Sequence, residues 1–167
     1  PENESSSNLT KDLSDEFNKQ GDDVYVATII EKKYKKKTKL SIENSVNVLR
    51  IKSGNMFNSV TKFEKLFTMM TMNKNILKQI KKHWSNVEFD FIVGTTPYMA
   101  NAKLINGLKS YYKCPSFLIL WDLFPQNAKD LGLIKSKLLF NFFKRQEHKN
   151  LKSFDYIGCM SQGNMDY

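Results

Sequence analysis

Apolar positions recur along the chain in two rhythms. Between Ser5 and Gln20, Leu9, Leu13 and Phe17 fall four residues apart, behind N-cap-type residues and ahead of Gly21. That spacing predicts an amphipathic helix closed by a glycine just past its end. Val24–Ile30 is apolar and β-branched almost throughout, which predicts a strand buried on both faces. After a lysine-rich loop, Val46–Ile51 predicts a second, weaker strand. Val60–Trp84 carries the longest helical pattern, with Phe63, Leu66, Phe67, Met70, Leu77, Ile80 and Trp84 on one face, widened by Met69, Met72 and Ile76. A strand-then-helix unit follows and repeats: strand Phe89–Thr95, helix Tyr98–Tyr112, strand Ser116–Trp121, a turn at Pro125, helix Lys135–Lys152, strand Asp155–Met160, and a helix opened by Ser161-Gln162-Gly163-Asn164. Strands alternating with helices predict βαβ crossovers and a doubly wound, mainly parallel α/β sheet. Such folds usually open on a strand, whereas this chain opens on a helix and ends just inside another. The pattern therefore reads as one domain, residues 1–167, cut from a larger repeat.

Composition narrows the class. With 167 residues, 41% hydrophobic and 13% aromatic, the chain can build a core without disulfides or metals. No apolar run is long enough to span a bilayer. The formal charge is +9, nearly all of it lysine, since Arg50 and Arg145 are the only arginines. Scarce arginine argues against a sequence-specific nucleic-acid reader, so no nucleic-acid partner is expected. The cluster Lys32, Lys33, Lys35, Lys36, Lys37 and Lys39 suits anionic headgroups or phosphates, or is a solvated loop. Cys114 and Cys159 are isolated and lie in or beside apolar runs, which predicts free thiols in a reducing compartment. His83 and His148 have no ligand-spaced partner, so no metal site is expected.

In open α/β sheets, ligands bind beyond the carboxyl ends of the strands. That rule gathers Pro1–Ser7, Thr95-Thr96-Pro97-Tyr98, Trp121–Asn127 and Ser161-Gln162-Gly163 around one cleft. Asp122 follows the apolar run Leu118–Trp121 directly. It is either a general base or hydroxyl acceptor, or the cap of the turn through Leu123–Gln126. Thr95 and Thr96 either offer hydroxyls to a ligand or cap the helix that Pro97 begins. Ser5, Ser6 and Ser7 form an anion or hydroxyl site or an ordinary N-cap. Asp90 and Asp155 precede strands at the far end and are read as structural. The Lys135–Lys152 helix mixes Leu138, Leu139, Phe140, Phe142 and Phe143 with Lys137, Lys144, Arg145 and Lys149. It is either an interfacial helix on an anionic leaflet or a core-packing helix with a solvated face. No G-x-G-x-x-G, P-loop or G-x-S-x-G is present, which removes the main signals of dinucleotide enzymes, P-loop NTPases and α/β-hydrolases.

Taken in order, the cleft segments resemble the N-terminal domain of glycosyltransferase family 4, the GT-B enzymes of bacterial surface polysaccharide synthesis. Pro1-Glu2 and Gln20-Gly21-Asp22-Asp23-Val24 match the family's Pro-Pro-Glu and Gly-His-(Asp/Glu)-Val stretches. Phe89-Asp90 through Thr95-Thr96-Pro97-Tyr98 matches its Pro-Asp…Thr-Ser-Pro-Pro segment. Asp122-Leu123-Phe124-Pro125-Gln126-Asn127, followed by Leu131-Gly132, looks like its Asp-Leu-Trp-Pro-Glu-Ser…Leu-Gly signature. Phe154-Asp155 and Ser161-Gln162-Gly163 match its Ala-Asp…Ser-x-Gly close. Departures are Asn3-Glu4-Ser5-Ser6-Ser7 in place of a Gly-rich stretch, Asp22 for His, and Gln126 for Glu.

The resemblance implies the Rossmann-like, acceptor-side half of a retaining glycosyltransferase, with the first strand and the donor-binding domain outside this chain. It implies a nucleotide-sugar donor, bound mainly by that other domain, a lipid-linked saccharide acceptor, and no further cofactor. Asp122 is then the catalytic residue, and Glu4, Ser5, Ser6, Ser7, Thr95, Thr96, Gln126, Asn127, Ser161 and Gly163 line the acceptor site. The expected location is cytoplasmic and peripheral on the inner face of the cell membrane, through Lys32–Lys39 and the Lys135–Lys152 helix. The rival readings are a non-catalytic subunit of a split transferase and a basic domain that binds nucleic acid or an anionic surface.

Overall fold

The computed structural model describes residues 9–56, 60–96 and 102–165. The chain is a mixed α/β protein that divides into two units, Pro1–Ser85 and Asn86–Tyr167.

In the first unit, helix α1 (Leu9–Lys19) leads to strands β1 (Tyr25–Glu31), β2 (Lys39–Glu43) and β3 (Val46–Ser53), and then helix α2 (Lys62–His83). Gly21 ends α1 as its pattern predicts. The Gly21 N–H donates to Asn18 O and the Asp22 N–H to Phe17 O, both at 3.1 Å, with Gly21 at φ 98°. The apolar spacing on α1 does not correspond to burial, however. Leu9 and Phe17 are exposed, and only Ser14 of this helix is buried.

The three strands are ordered β1-β3-β2, with β3 parallel to β1 and antiparallel to β2. This reverses the expected ranking of the strands. The central strand is β3, with Val46, Val48, Leu49 and Ile51 buried, because it is paired along both sides. Strand β1 is paired along one side within its sheet, and Ala27 and Thr28 are exposed, so the expectation of burial on both faces fails. Strand β2 was not anticipated. It joins β3 through Asn44-Ser45, both at positive φ (48° and 65°), which fits the type I′ geometry that matches strand twist in two-residue hairpins. Arg50 then forks onto both carboxylate oxygens of Glu43, with its Nη2 donating to Oε2 at 2.8 Å.

On α2, the Thr61 hydroxyl accepts from the Glu64 N–H at 3.2 Å, a side-chain N-cap. The buried stripe is Thr68, Met72, Ile76, Ile80 and Trp84, at four-residue steps. Phe63, Phe67 and Met70 of the predicted face are exposed. On the buried stripe, Thr68 comes so close to Gly54 that a Cβ there would overlap its side chain, so the helix approaches the chain just past β3 at that point.

In the second unit, β4 (Ile92–Thr95), α3 (Ala102–Tyr112), β5 (Ser116–Leu120), α4 (Gln126–Asp130), α5 (Lys137–Leu151), β6 (Tyr156–Cys159) and α6 (Gln162–Met165) follow in turn. The strands form an all-parallel sheet ordered β4-β5-β6, joined by helical crossovers as the alternating pattern predicts. Ile105, Leu118, Leu120 and Phe154 make the core, with Leu123, Leu151 and Cys159 against it. Two aromatic rings press on glycines from opposite faces of this sheet. Phe154 fills the space a Cβ on Gly94 would take, and Phe117 does the same at Gly158. Ser136 caps α5, accepting from the Leu139 N–H at 3.4 Å.

Asp155 has the structural role expected of it. Its Oδ2 accepts from the Ser116 N–H (2.8 Å) and hydroxyl (3.0 Å), and its Oδ1 from Lys109 Nζ (2.6 Å). These contacts, Lys109 foremost, lower its pKa. Cys114 is a buried free thiol whose pKa burial raises. Among the described residues no helix is long and apolar enough to cross a membrane.

Candidate functional site

The carboxyl ends of β4, β5 and β6 lie side by side because the strands are parallel. The register pairs Thr95 with Ile119 and Leu120 with Cys159, so Asp122 and Ser161 each stand two residues beyond a paired position. Thr96, Asp122 and Ser161 thus follow three adjacent strands on one edge of the sheet.

Thr96 is buried, and its hydroxyl is the centre of the arrangement. Its Oγ1 accepts from the backbone N–H of Trp121 at 2.7 Å and of Asp122 at 2.9 Å. The Thr96 N–H donates in turn to Ile119 O at 3.2 Å. One side chain just past β4 therefore fixes the backbone where β5 ends. The α3 end is held otherwise, with the Ala102 N–H donating to Asn150 Oδ1 of α5 at 2.9 Å.

The segment after Asp122 is anchored residue by residue. Leu123 packs on the core, Pro125 is fully buried behind a cis peptide bond, and Phe124 meets Phe143 of α5 edge-on at 5.1 Å. The turn closes through its own backbone, with Asn127 N–H to Leu123 O at 2.9 Å and Lys129 N–H to Pro125 O at 3.0 Å. The Asp122 side chain is exposed and has no hydrogen-bond partner among the described residues. A carboxylate on a backbone fixed from both sides is suited to orienting a hydroxyl or taking its proton.

Thr95 is half-buried at the last position of β4. Gln126 and Asn127 open the short helix α4. The Gln126 amide donates to Asp130 Oδ1 at 2.8 Å, and Asn127 is exposed. Ser161 and Gly163 are exposed at the start of α6. Glu4, Ser5, Ser6 and Ser7 lie outside the described residues, as do Pro97 and Tyr98. The structure therefore brings Thr96 onto the Asp122 backbone, and puts Thr95, Gln126, Asn127 and Ser161 on segments at the same end of the sheet. Sequence reasoning missed the Thr96 fork and the role of Phe143 in seating the loop. The signal for the second was an aromatic nearly two helical turns inside α5, which the sequence pattern grouped with Leu138, Leu139, Phe140 and Phe142 as an interfacial or core-packing face.

Among the described residues, no three His, Cys, Asp or Glu side chains converge as metal ligands. Neither a family model nor a curated protein matches this sequence.

Proposed function

We propose that this chain is the acceptor-side half of a retaining glycosyltransferase with a Rossmann-like, doubly wound N-terminal domain. It works with a donor-binding half that supplies the nucleotide sugar, and it holds a lipid-linked saccharide of surface polysaccharide synthesis. The observation that carries the reading is the exposed Asp122 carboxylate beyond β5, on a backbone tethered by the Thr96 hydroxyl.

In this reading Asp122 orients the acceptor hydroxyl and takes its proton as that oxygen bonds to the donor sugar's anomeric carbon, on the face from which the nucleoside diphosphate departs as its own bond to that carbon breaks. Thr95, Gln126, Asn127 and Ser161 hydrogen-bond the other sugar hydroxyls. The parallel sheet supports the reading because all of these segments follow strand ends on one edge. The chemistry needs no group beyond the nucleotide-sugar substrate.

The test is sugar transfer by the protein together with its donor-binding half, using nucleotide sugar and lipid-linked acceptor. Asp122→Asn keeps the size and the backbone contacts and removes the basic oxygen, so turnover falls about a hundredfold. Turnover near that of the parent protein removes Asp122 from the chemistry.

A further inference from the structure

Helix α5 has two sides of different character. Phe143 and Leu151 face inward, onto Phe124 and the core, with buried Glu147 between them. Leu138, Phe142, Arg145 and Lys149 recur at steps of four, three and four residues and form one outward stripe. Leu138 is 83% exposed and Phe142 55%, and Leu139 beside them is also exposed. In the segment between α4 and α5, Leu131 and Leu133 are 75% and 76% exposed. Five large apolar side chains thus stand in solvent between residues 131 and 142, three of them on α5, so the helix packs on the core through Phe143 and Leu151 and leaves Leu138, Leu139 and Phe142 uncovered within this chain.

The charge around this patch is predominantly positive. Residues 129–152 hold seven lysines and arginines against two acids. Asp130 is engaged by the Gln126 amide, and Glu147 is buried against Lys144. An open cavity of about 310 Å³ beside the patch is lined by Lys129, Lys135, Ser136 and Lys137, among others, at the α5 N-terminus. Along the outward stripe the apolar residues come first and the cations follow.

We propose that this surface docks the protein on an anionic lipid bilayer. Leu131, Leu133, Leu138 and Phe142 enter the acyl boundary, while Lys129, Lys135, Lys137, Arg145 and Lys149 lie at the level of the headgroup phosphates. Charge complementarity selects this occupant, because apolar side chains ringed by cations, with Asp130 the one exposed acid among seven lysines and arginines in residues 129–152, match a negatively charged apolar boundary. The proposal uses none of the sugar-site residues, so it stands or falls apart from the proposed chemistry.

The experiment is sedimentation of the full chain with phosphatidylcholine vesicles, with and without phosphatidylglycerol, at low and high salt. Binding is expected only with phosphatidylglycerol, and it weakens as salt screens the charges. Leu138→Ser with Phe142→Ser, and separately Lys135→Gln with Lys137→Gln, each lower binding about tenfold, whereas Lys35→Gln with Lys36→Gln leaves it unchanged. All of these side chains are exposed, so circular dichroism should read the same for each variant; should the serine pair unfold, the lysine pair decides. Absence of binding, equal binding by the serine or lysine pair, or an equal loss in the Lys35/Lys36 pair overturns the proposal. So does self-association in the ultracentrifuge that Phe142→Ser abolishes, which would make a second copy the occupant.

Discussion

Thr96 illustrates how much one hydroxyl can organise. Valine has the same branched shape, but Thr96→Val leaves the amides of Trp121 and Asp122 without this acceptor in a partly buried place. Each unmade bond costs about 1–3 kcal/mol when buried, and these two are partly open to water, so the substitution destabilises by about 2–4 kcal/mol in denaturant titration, while Thr96→Ser costs much less. Lys144 and Glu147 form an unequal pair, with Nζ 2.9 Å from Oε2 and the lysine side chain 29% exposed against 2% for the glutamate. Lys144→Met strands a buried carboxylate and costs about 3 kcal/mol, whereas Glu147→Met changes stability by less than about 1 kcal/mol because the lysine can turn to water. Equal losses in thermal melts would show that the two charges are equally confined. Neither residue announced this role in the sequence. A threonine before a proline reads as a helix cap, and the amides that Thr96 serves lie 25 and 26 residues away.

Among the elements, the parallel strands of the second unit and its helices α3 and α5 were legible because their apolar runs are bounded by turn residues, whereas α4 lies where the sequence predicts a turn at Pro125. The end of α1 at Gly21 was legible for a local reason, the left-handed backbone that glycine accepts. Strand β2 was not, since Lys-Leu-Ser-Ile-Glu is a short alternation inside a lysine-rich stretch and its turn is Asn-Ser rather than Asn-Gly. On α2, two apolar stripes compete, and the buried one includes Thr68, whose close approach to Gly54 no periodicity in the helix encodes. The Asn44-Ser45 turn offers a direct test. Ser45 sits at φ 65°, a conformation costly for a residue with a Cβ, so Ser45→Gly stabilises by about 0.5–1 kcal/mol. A loss of stability in chemical denaturation would mean that the Ser45 side chain contributes more to the turn than its backbone costs.

Across the whole molecule, Glu43 and Asp155 link stability to acid. Arg50, aided by the Ser41 hydroxyl, holds Glu43 at about 2 rather than 4.5, and Lys109 with the Ser116 amide lowers Asp155. Both folded values lie below the unfolded ones, so their contribution is complete above the ordinary carboxylate range and is lost as pH falls through the folded values. The melting temperature should therefore hold from neutral pH to about pH 5 and then fall toward pH 2, where unbalanced positive charge adds repulsion. Glu43→Gln flattens that acid limb; an unchanged slope would place the linkage elsewhere. At the alkaline end, burial pushes Tyr112 up to about 12, so its contribution disappears as pH rises from 10 toward 12.

The ring of Phe154 pressed on Gly94 has a spectroscopic consequence. The two α-protons of Gly94 lie at unequal distances from an aromatic ring current, so in the folded protein their resonances should separate from each other and from the random-coil position. That pair of signals reports on the seating of the segment before β6 against β4, without any label added to the chain.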